Sequence, residues 1–315
     1  MAAETTSPDA GAAGAAPADP GLGRAGSSQG GPAPPSPMLR RRVLARELKK
    51  LRQAAGLTHT EVARRLGWQQ GKVSKIESAR QGVGVEAVIA LVDICGADAQ
   101  QREQLVQLAH DARAKAWWES YSDVLSAGLS AQVGFEAGAA RIRAFAAETV
   151  PELLRTRDYA AAVLAARGGG SGLERRLELL LERQRTPVVE RAVELDVVLA
   201  ESALRRVVGG PGVLAAQLRH LAALGRQPNV TLRVLPFTAG ATAVDVPFSV
   251  LSFEGERHPD VVCAPSDSPG ARPTEDAEVE DYRRAFRGLR TQSLSVEESQ
   301  QFLADVGRGH GGEHV

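Results

Sequence analysis

The chain has 315 residues, no net formal charge and 43% hydrophobic residues, which is enough apolar material for about two domains with buried cores. No run of eighteen apolar residues and no amino-terminal signal-peptide pattern occurs, so we expect a cytoplasmic protein without a membrane span. Cys95 and Cys263 lack the spacing of a zinc finger or a disulfide framework, and the six His residues form no metal-binding motif. We therefore expect buried free thiols and no metal.

The chain opens with a segment, residues 1–38, that is rich in Ala, Gly, Pro and Ser and has almost nothing to bury. We expect it to be disordered. Met38 leads directly into LRRRVLARELKKLR, so the segment is either a flexible arm or an extension upstream of the true start. A first helix is predicted over residues 43–54, where apolar residues recur at helical spacing: Val43, Leu44, Leu48 and Leu51.

The next segment, GLTHTEVARRLGWQQGKVSKIE (56–77), has the spacing of two short helices around a tight turn. Thr58 can cap the amino terminus of the first of these helices while Glu61 reaches back to the cap amide, a capping box. Gly67 follows where that helix must stop, and a second helix restarts near residues 69–70. This pattern is typical of a helix-turn-helix.

Charge decides between a DNA-binding unit and an ordinary helical bundle with a solvated basic face. Residues 39–80 hold twelve Lys and Arg against three Glu, a net charge of +9, whereas the residues after 80 carry −7. A local basic surplus is the electrostatic footprint of DNA binding, and Gln, Lys and Ser are side chains that read base edges in the major groove. The predicted DNA-binding residues are Gln69, Gln70, Lys72, Ser74, Lys75, Thr58, His59, Arg80, Arg40, Arg41 and Arg42. The last three either reach phosphates or the minor groove from an arm or form a solvated charge cluster.

Residues 43–96 resemble the Cro and phage-repressor (XRE) type of helix-turn-helix domain, a five-helix unit whose third helix enters the major groove. The resemblance implies that Gln70 and Lys75 are the main base-reading residues, with Lys72 and Ser74 beside them. It also implies an ion pair across the unit, which joins Arg52 to Glu77.

Three positions depart from that family. His59 stands where Gln is usual, and Gly71 stands where a small hydroxyl residue or Pro is usual, which lowers the local helix propensity. Ala79 replaces a left-handed Gly, and this leaves Gly82 as the alternative turn residue after the third helix.

A fourth helix is predicted over residues 85–95, and a fifth over 98–116 leads out of the small core. We place the DNA-binding domain at 39–98 and a connecting helix at 99–120. The aromatic residues that follow either line a ligand pocket or form the core of the second domain, and the low aromatic content of 4% favours the core. These residues are Trp117, Trp118, Tyr121, Phe135, Phe145 and Tyr159.

The second domain, residues 121–306, is predicted to mix helices and strands, and residues 307–315 are predicted to form a disordered tail. The predicted strands are 193–199, 230–235, 248–253 and 260–263, and the predicted helices are 173–184, 213–224, 279–290 and 296–306. The fold class is thus an all-α helix-turn-helix domain followed by an α+β domain. The Gly-rich residues 209–212 are read as a loop rather than a phosphate cradle, because neither GK[ST] nor GxGxxG accompanies them.

Much of this second domain looks like a domain of unknown function (DUF5753-like) that follows such helix-turn-helix units in actinobacterial regulators. The stretches that carry the likeness are AKAWWESYSDVL (114–125), FEAGAARIRAFAAETVPELLRTRDYAAAVL (135–164), ALRRVVGGPGVLAAQLRHL (203–221) and PNVTLRVLPFTAGA (228–241). Residues 261–282 depart from the relatives, and we expect a less ordered loop there. The resemblance implies a regulator of development or secondary metabolism, sometimes antitoxin-like and often encoded beside a small partner protein.

Two functional interpretations remain. In the first, the chain is a sequence-specific transcription regulator whose C-terminal domain dimerises and receives a signal from a small protein or metabolite. In the second, it is an antitoxin-like interaction protein that sequesters a small partner protein and autoregulates its operon. Because no GxSxG, triad or carboxylate pair stands out, we expect neither an enzyme nor a cofactor. The expected partners are a double-stranded DNA operator on the nucleoid, a second copy of the chain in a homodimer, and a small protein encoded nearby.

Overall fold

A computed structural model of the chain describes residues 36–185, 193–255, 259–264, 271–272 and 276–311. The predicted fold class is confirmed, since an all-helical domain precedes a domain that combines helices with a sheet. The helices of the first domain are α1 (Pro37–Ala54), α2 (His59–Leu66), α3 (Lys72–Glu77), α4 (Val85–Ile94) and α5 (Ala99–Asp111).

The core of the helical domain takes residues from all five helices. Its buried members are Leu44, Leu48, Val62, Ala63, Val73, Ile76, Val88, Leu91, Val92, Leu105 and Ala109. The last two lie on α5, so this helix is part of the small domain and not only the connector that the sequence suggests. Cys95, buried just after α4, is a free thiol, as is buried Cys263 in the second domain.

Helix α1 begins six residues earlier than the apolar spacing predicts. Ser36 caps it by accepting a hydrogen bond from the amide of Leu39, and Pro37 occupies the first turn, where its missing N–H costs nothing. Leu39 is buried. The predicted disorder is therefore wrong for residues 36–38, and its remainder, 1–35, lies outside the described residues.

The second domain contains a six-stranded sheet, in the order β3-β2-β1-β4-β5-β6. Its strands are β1 (Arg141–Ala146), β2 (Glu194–Ala200), β3 (Val230–Leu235), β4 (Phe248–Ser252), β5 (Val261–Cys263) and β6 (Ala271–Arg272). The helices are α6 (Ala127–Glu136), α7 (Arg157–Ala166), α8 (Leu173–Gln184), α9 (Glu201–Arg205), α10 (Pro211–Leu224), α11 (Asp276–Gln292) and α12 (Val296–Gly311).

Strands β1, β2 and β3 are parallel, and their helical connections cover the sheet. β4 pairs antiparallel with the other edge of β1, and β5 and β6 continue outward. One face of the sheet packs on a large core that includes residues of α7, α10 and α12. The opposite face packs on Phe286 and Leu289 of α11. The sheet therefore lies between two helical layers.

Four predicted strands match β2 to β5 within a residue or two, whereas the central strand β1 was not predicted. Helix α12 continues to Gly311, so the predicted tail is wrong for residues 307–311, and 312–315 lie outside the described residues. The Gly-rich entry to α10 is a turn in which Gly209 and Gly210 have positive φ angles of 73° and 96°. Of the loop predicted at 261–282, residues 265–270 and 273–275 also lie outside.

Within the part of the chain that the structure describes, none of the helices combines the length and apolar character that crossing a bilayer requires.

Candidate nucleic-acid interface

The capping box predicted at the start of α2 is present. Thr58 Oγ1 accepts a hydrogen bond from the amide of Glu61 at 3.2 Å, and the Glu61 carboxylate accepts one from the amide of Thr58 at 2.7 Å. The same carboxylate accepts from the Thr58 hydroxyl, and these hydrogen bonds lower the pKa of Glu61. The box fixes where α2 begins, but it also engages the Thr58 hydroxyl that we predicted to contact DNA.

The turn between α2 and α3 runs from Gly67 to Gly71. Both glycines have positive φ angles, 64° and 92°, which glycine adopts without steric cost. α3 consequently begins at Lys72, two or three residues later than predicted. Gln69 and Gln70 lie in the turn that precedes α3, not in its first helical turn.

Helix α3 is anchored by two apolar side chains, Val73 and Ile76, that are fully or almost fully buried. The opposite side is left to solvent, where Ser74 and Lys75 are exposed. Of the predicted DNA-binding residues, five are exposed and form no side-chain hydrogen bond or ion pair with any described residue: Gln69, Gln70, Ser74, Lys75 and Arg80. Their polar groups are therefore available to an external partner.

Gln69, Gln70, Lys72 and Lys75 line one surface groove. Trp68 and Gln81, which the sequence did not single out, complete it. The Lys72 ammonium lies 4.0 Å from the centre of the Trp68 ring, a cation–π contact that holds the charge at the groove wall. The groove thus combines amide groups and two cations, the chemistry that suits base edges and phosphates.

The ion pair implied by the resemblance is present. Arg52 donates to both carboxylate oxygens of Glu77, from Nε at 2.7 Å and from Nη2 at 2.8 Å, and its Nη1 donates to the carbonyl of Leu57 at 2.5 Å. Burial alone would raise the pKa of Glu77, but the hydrogen bonds from Arg52 and His59 outweigh burial and lower it. This pair ties the end of α1 to the end of α3.

His59 joins this cluster. Its Nε2 lies 2.9 Å from Glu77 Oε2 and 3.1 Å from Arg52 Nη2, and it can donate to the first or accept from the second according to its tautomer. The ring is still partly exposed. The structure thus gives His59 an intramolecular role that the predicted phosphate contact did not anticipate.

Arg40, Arg41 and Arg42 lie in α1, so the prediction that they reach out from an arm is wrong. Arg40 forms an ion pair with Asp111 of α5 at 3.2 Å. Arg42 donates to the carbonyl of Pro259 at 3.5 Å and stacks over the Phe135 ring. The buried Leu39 and the capped first turn stabilise a helix that includes these three arginines. Two of the three, Arg40 and Arg42, contact other parts of the protein.

Comparison with known protein families assigns both domains. A family model described as a helix-turn-helix domain matches residues 43–105, which include most of α1, all of α2 to α4 and the first half of α5. A second model, described as a domain of unknown function (DUF5753), matches residues 129–305, more than half of the chain. The chain belongs to the DUF5753 family. No curated protein and no solved structure gave a significant match.

The aromatic residues predicted to line a pocket or form a core lie before and within the DUF5753 domain, and most of them are buried. Trp118, Phe135 and Tyr159 are buried, and the Tyr159 hydroxyl accepts a hydrogen bond from the amide of Val150 at 3.3 Å. Trp117 contacts Trp118 and Tyr121 edge to face. The domain does contain a cavity of about 500 Å³, but of the six aromatic residues only Phe145 lines it. The burial of Trp118, Phe135 and Tyr159 favours the core interpretation for these three, whereas Trp117 and Tyr121 are only partly buried.

Proposed function

We propose that the chain is a sequence-specific DNA-binding transcription regulator of the XRE type, active in the cytoplasm as a homodimer and not an enzyme. In this proposal the DUF5753 domain receives the regulatory signal. The observation that carries it is the groove formed by Gln69, Gln70, Lys72 and Lys75 on a helix-turn-helix domain with a local basic surplus. The family match supports DNA binding, and the groove supports these residues as its contacts.

A homodimer would place its two α3 helices in successive major grooves, about 34 to 36 Å apart, so the operator should be an inverted repeat. Selection of bound fragments from genomic DNA by the full chain, followed by footprinting, tests this directly. A protected site with two half-sites related by a dyad supports the proposal. Equal affinity for all fragments, abolished by salt, would contradict sequence-specific binding.

Alanine substitutions separate base reading from general attraction. We expect Gln70→Ala or Lys75→Ala to weaken operator binding by about 1 to 3 kcal/mol and to relax the preference at one base pair in each half-site. Lys115→Ala is the matched control, because Lys115 is exposed and is the only lysine outside residues 39–80. Uniform weakening on every sequence would show that Gln70 and Lys75 contact phosphates only.

The antitoxin-like alternative is tested by purifying the chain together with the product of a neighbouring gene. A small protein from a neighbouring gene that co-purifies with the chain, and whose toxicity the chain relieves, would favour it over signal-dependent regulation.

A further inference from the structure

The cavity of the DUF5753 domain lies at the carboxyl end of β1. Its volume, about 500 Å³, is within the range of small-molecule sites, roughly 300 to 1,000 Å³. Ala144, Leu195 and Val197 of the sheet contribute to one wall, and Leu129 of α6 contributes to another. The walls are thus largely apolar.

This position is one where ligands bind in open α/β sheets. In the strand order, β2 and β3 lie between β1 and one edge of the sheet, whereas β4 is the neighbour of β1 toward the opposite edge. The cavity lining includes Ala146, near the end of β1, and Phe248, at the start of β4. Because β4 is antiparallel, its amino end lies beside the carboxyl end of β1, and crevices outside the carboxyl ends of strands in open α/β sheets are recurrent binding sites.

Of the residues that the structure describes, five charged ones line the cavity, and two of the three cations are not neutralised in full. Arg183 is 4% exposed and donates to both oxygens of Glu136, at 3.1 and 3.0 Å, and to Glu152 at 2.7 Å. Both carboxylates therefore form ion pairs with Arg183. Burial would raise the pKa of Glu152, but Arg183, Arg155 and Arg167 lower it to about 2, so this carboxylate stays ionised.

Arg155 and Arg167 provide the remaining positive charge. Arg155 is 5% exposed, and it donates to the carbonyl of Val150 at 2.7 Å while its nearest Glu152 oxygen is 3.8 Å away. The Arg167 guanidinium is exposed and forms no hydrogen bond or ion pair within the described ranges. Among the described residues of the lining, three arginines stand against two glutamates, which gives these residues a net charge of +1.

We propose that this cavity binds a mainly apolar small molecule that carries one anionic group, such as a carboxylate, placed beside Arg155 and Arg167. The apolar walls match the body of such a ligand, and the surplus charge matches its head. That this ligand is the signal for DNA binding rests on the proposed function, whereas ligand binding itself does not.

The test titrates the full chain, without DNA, with decanoate and with decan-1-ol as a neutral probe of equal chain length, both below their aggregation limits. Isothermal titration calorimetry should show one saturable decanoate site per chain. Decan-1-ol should bind about tenfold more weakly, the loss expected for one charge-assisted hydrogen bond. No saturable decanoate binding, or equal affinity for both probes, overturns the proposal.

Two variants locate the site. Arg167→Met should weaken decanoate binding about tenfold and leave decan-1-ol unchanged, while Arg219→Met, which removes an exposed arginine of α10 that does not line the cavity, should change neither. Leu129→Trp should fill the cavity and abolish binding of both probes, with an unchanged circular dichroism spectrum.

Decanoate affinity that is unchanged in Arg167→Met or in folded Leu129→Trp would place the site elsewhere and overturn the assignment. Operator binding is measured separately on the same preparation, so failure of the DNA-binding proposal and failure of this one are distinguishable.

Discussion

At the scale of single residues, Glu77 of the DNA-binding domain is a nearly buried carboxylate that is paired with Arg52 and His59. Its side chain is 4% exposed, and it accepts two hydrogen bonds from Arg52, whose side chain is 9% exposed. Removing one partner of such a pair leaves a desolvated charge behind, which costs more than the pair itself contributes. The pair also joins α1 to α3, so its loss should loosen the helix that carries Ser74 and Lys75.

We therefore expect Glu77→Gln to reduce the free energy of unfolding at neutral pH by about 3 kcal/mol. Because folding lowers the pKa of Glu77, its contribution is present above the unfolded pKa and is lost as pH falls through the lower, folded pKa. Denaturant unfolding of both proteins from pH 7 to pH 2 should show the difference shrinking in acid.

Glu47→Gln is the control, since Glu47 pairs with Lys50 on the exposed surface of α1 at 2.8 Å. That substitution should change stability by less than about 1 kcal/mol. A Glu77→Gln variant that matches this control, or a difference that does not vary with pH, would contradict the assigned role.

At the scale of elements, the end of α3 depends on a residue in an unfavourable conformation. Ala79 has a φ of 56°, and it is the only non-glycine residue with positive φ in the described chain. The sequence offered Gly82 as the alternative turn residue, and that expectation is wrong, because Gly82 does not adopt a positive φ. The left-handed turn therefore stays at the end of α3, although the Cβ of Ala79 makes this conformation strained.

Ala79→Gly should consequently stabilise the protein. A left-handed residue with a Cβ costs roughly 1 to 2 kcal/mol, and the extra freedom of glycine in the unfolded chain returns about 0.5 to 1 kcal/mol of this. We expect a net gain of up to about 1.5 kcal/mol in the free energy of unfolding, measured with denaturant. Gly82→Ala is the reverse exchange at a residue without a positive φ, where the new Cβ would meet only the Arg41 side chain at 3.8 Å. It should stabilise the chain by about 0.4 to 1 kcal/mol through the unfolded state, so glycine should be the better residue at 79 and alanine the better residue at 82. Destabilisation by Ala79→Gly would mean that the Ala79 methyl makes a contact worth more than its strain.

The elements that sequence could predict are those with a strong local signal. The capping box at Thr58, the stop at Gly67 and the alternation in β3 depend on neighbours in the chain, and they were found. β1 was missed because RIRAFA combines Arg and Ala, which are not typical strand residues, and its position at the centre of the sheet depends on distant strands. Arg40 to Arg42 were misplaced for the same reason, since Asp111 and Pro259 cannot be matched to them by spacing.

At the scale of the whole molecule, α6 connects the two domains. Leu129, Gln132 and Glu136, spaced along one side of this helix, line the cavity. Gly134 approaches α1 instead, since its carbonyl accepts a hydrogen bond from Ser36 at 2.5 Å and a Cβ built on it would lie 2.8 Å from Met38 Cβ. One helix therefore touches both the proposed ligand site and the helix whose Arg52 holds α3.

This arrangement predicts coupling between the cavity and the DNA-binding groove. If decanoate changes the affinity for the selected operator by some factor, the operator must change the affinity for decanoate by the same factor, and such couplings are typically about 5- to 150-fold. Fluorescence anisotropy with labelled operator, and calorimetry with and without operator, measure the two factors independently. Equality of the factors is required by thermodynamics, and a factor of 1 would show that the sites are independent.

Gly134→Ala should bring that factor toward 1. The added methyl group must displace Met38 of α1, and this displacement moves α1 away from α6. The cavity side of α6 is unchanged, so the affinity for decanoate without DNA should stay within about twofold. Gly288→Ala is the matched control, because Gly288 is an exposed helical glycine of α11 with open space around its Cβ position. It should leave the coupling intact and stabilise the chain by about 0.5 to 1 kcal/mol. A Gly134→Ala protein that keeps the full coupling would show that the signal reaches α3 by another route than the contact between α6 and α1.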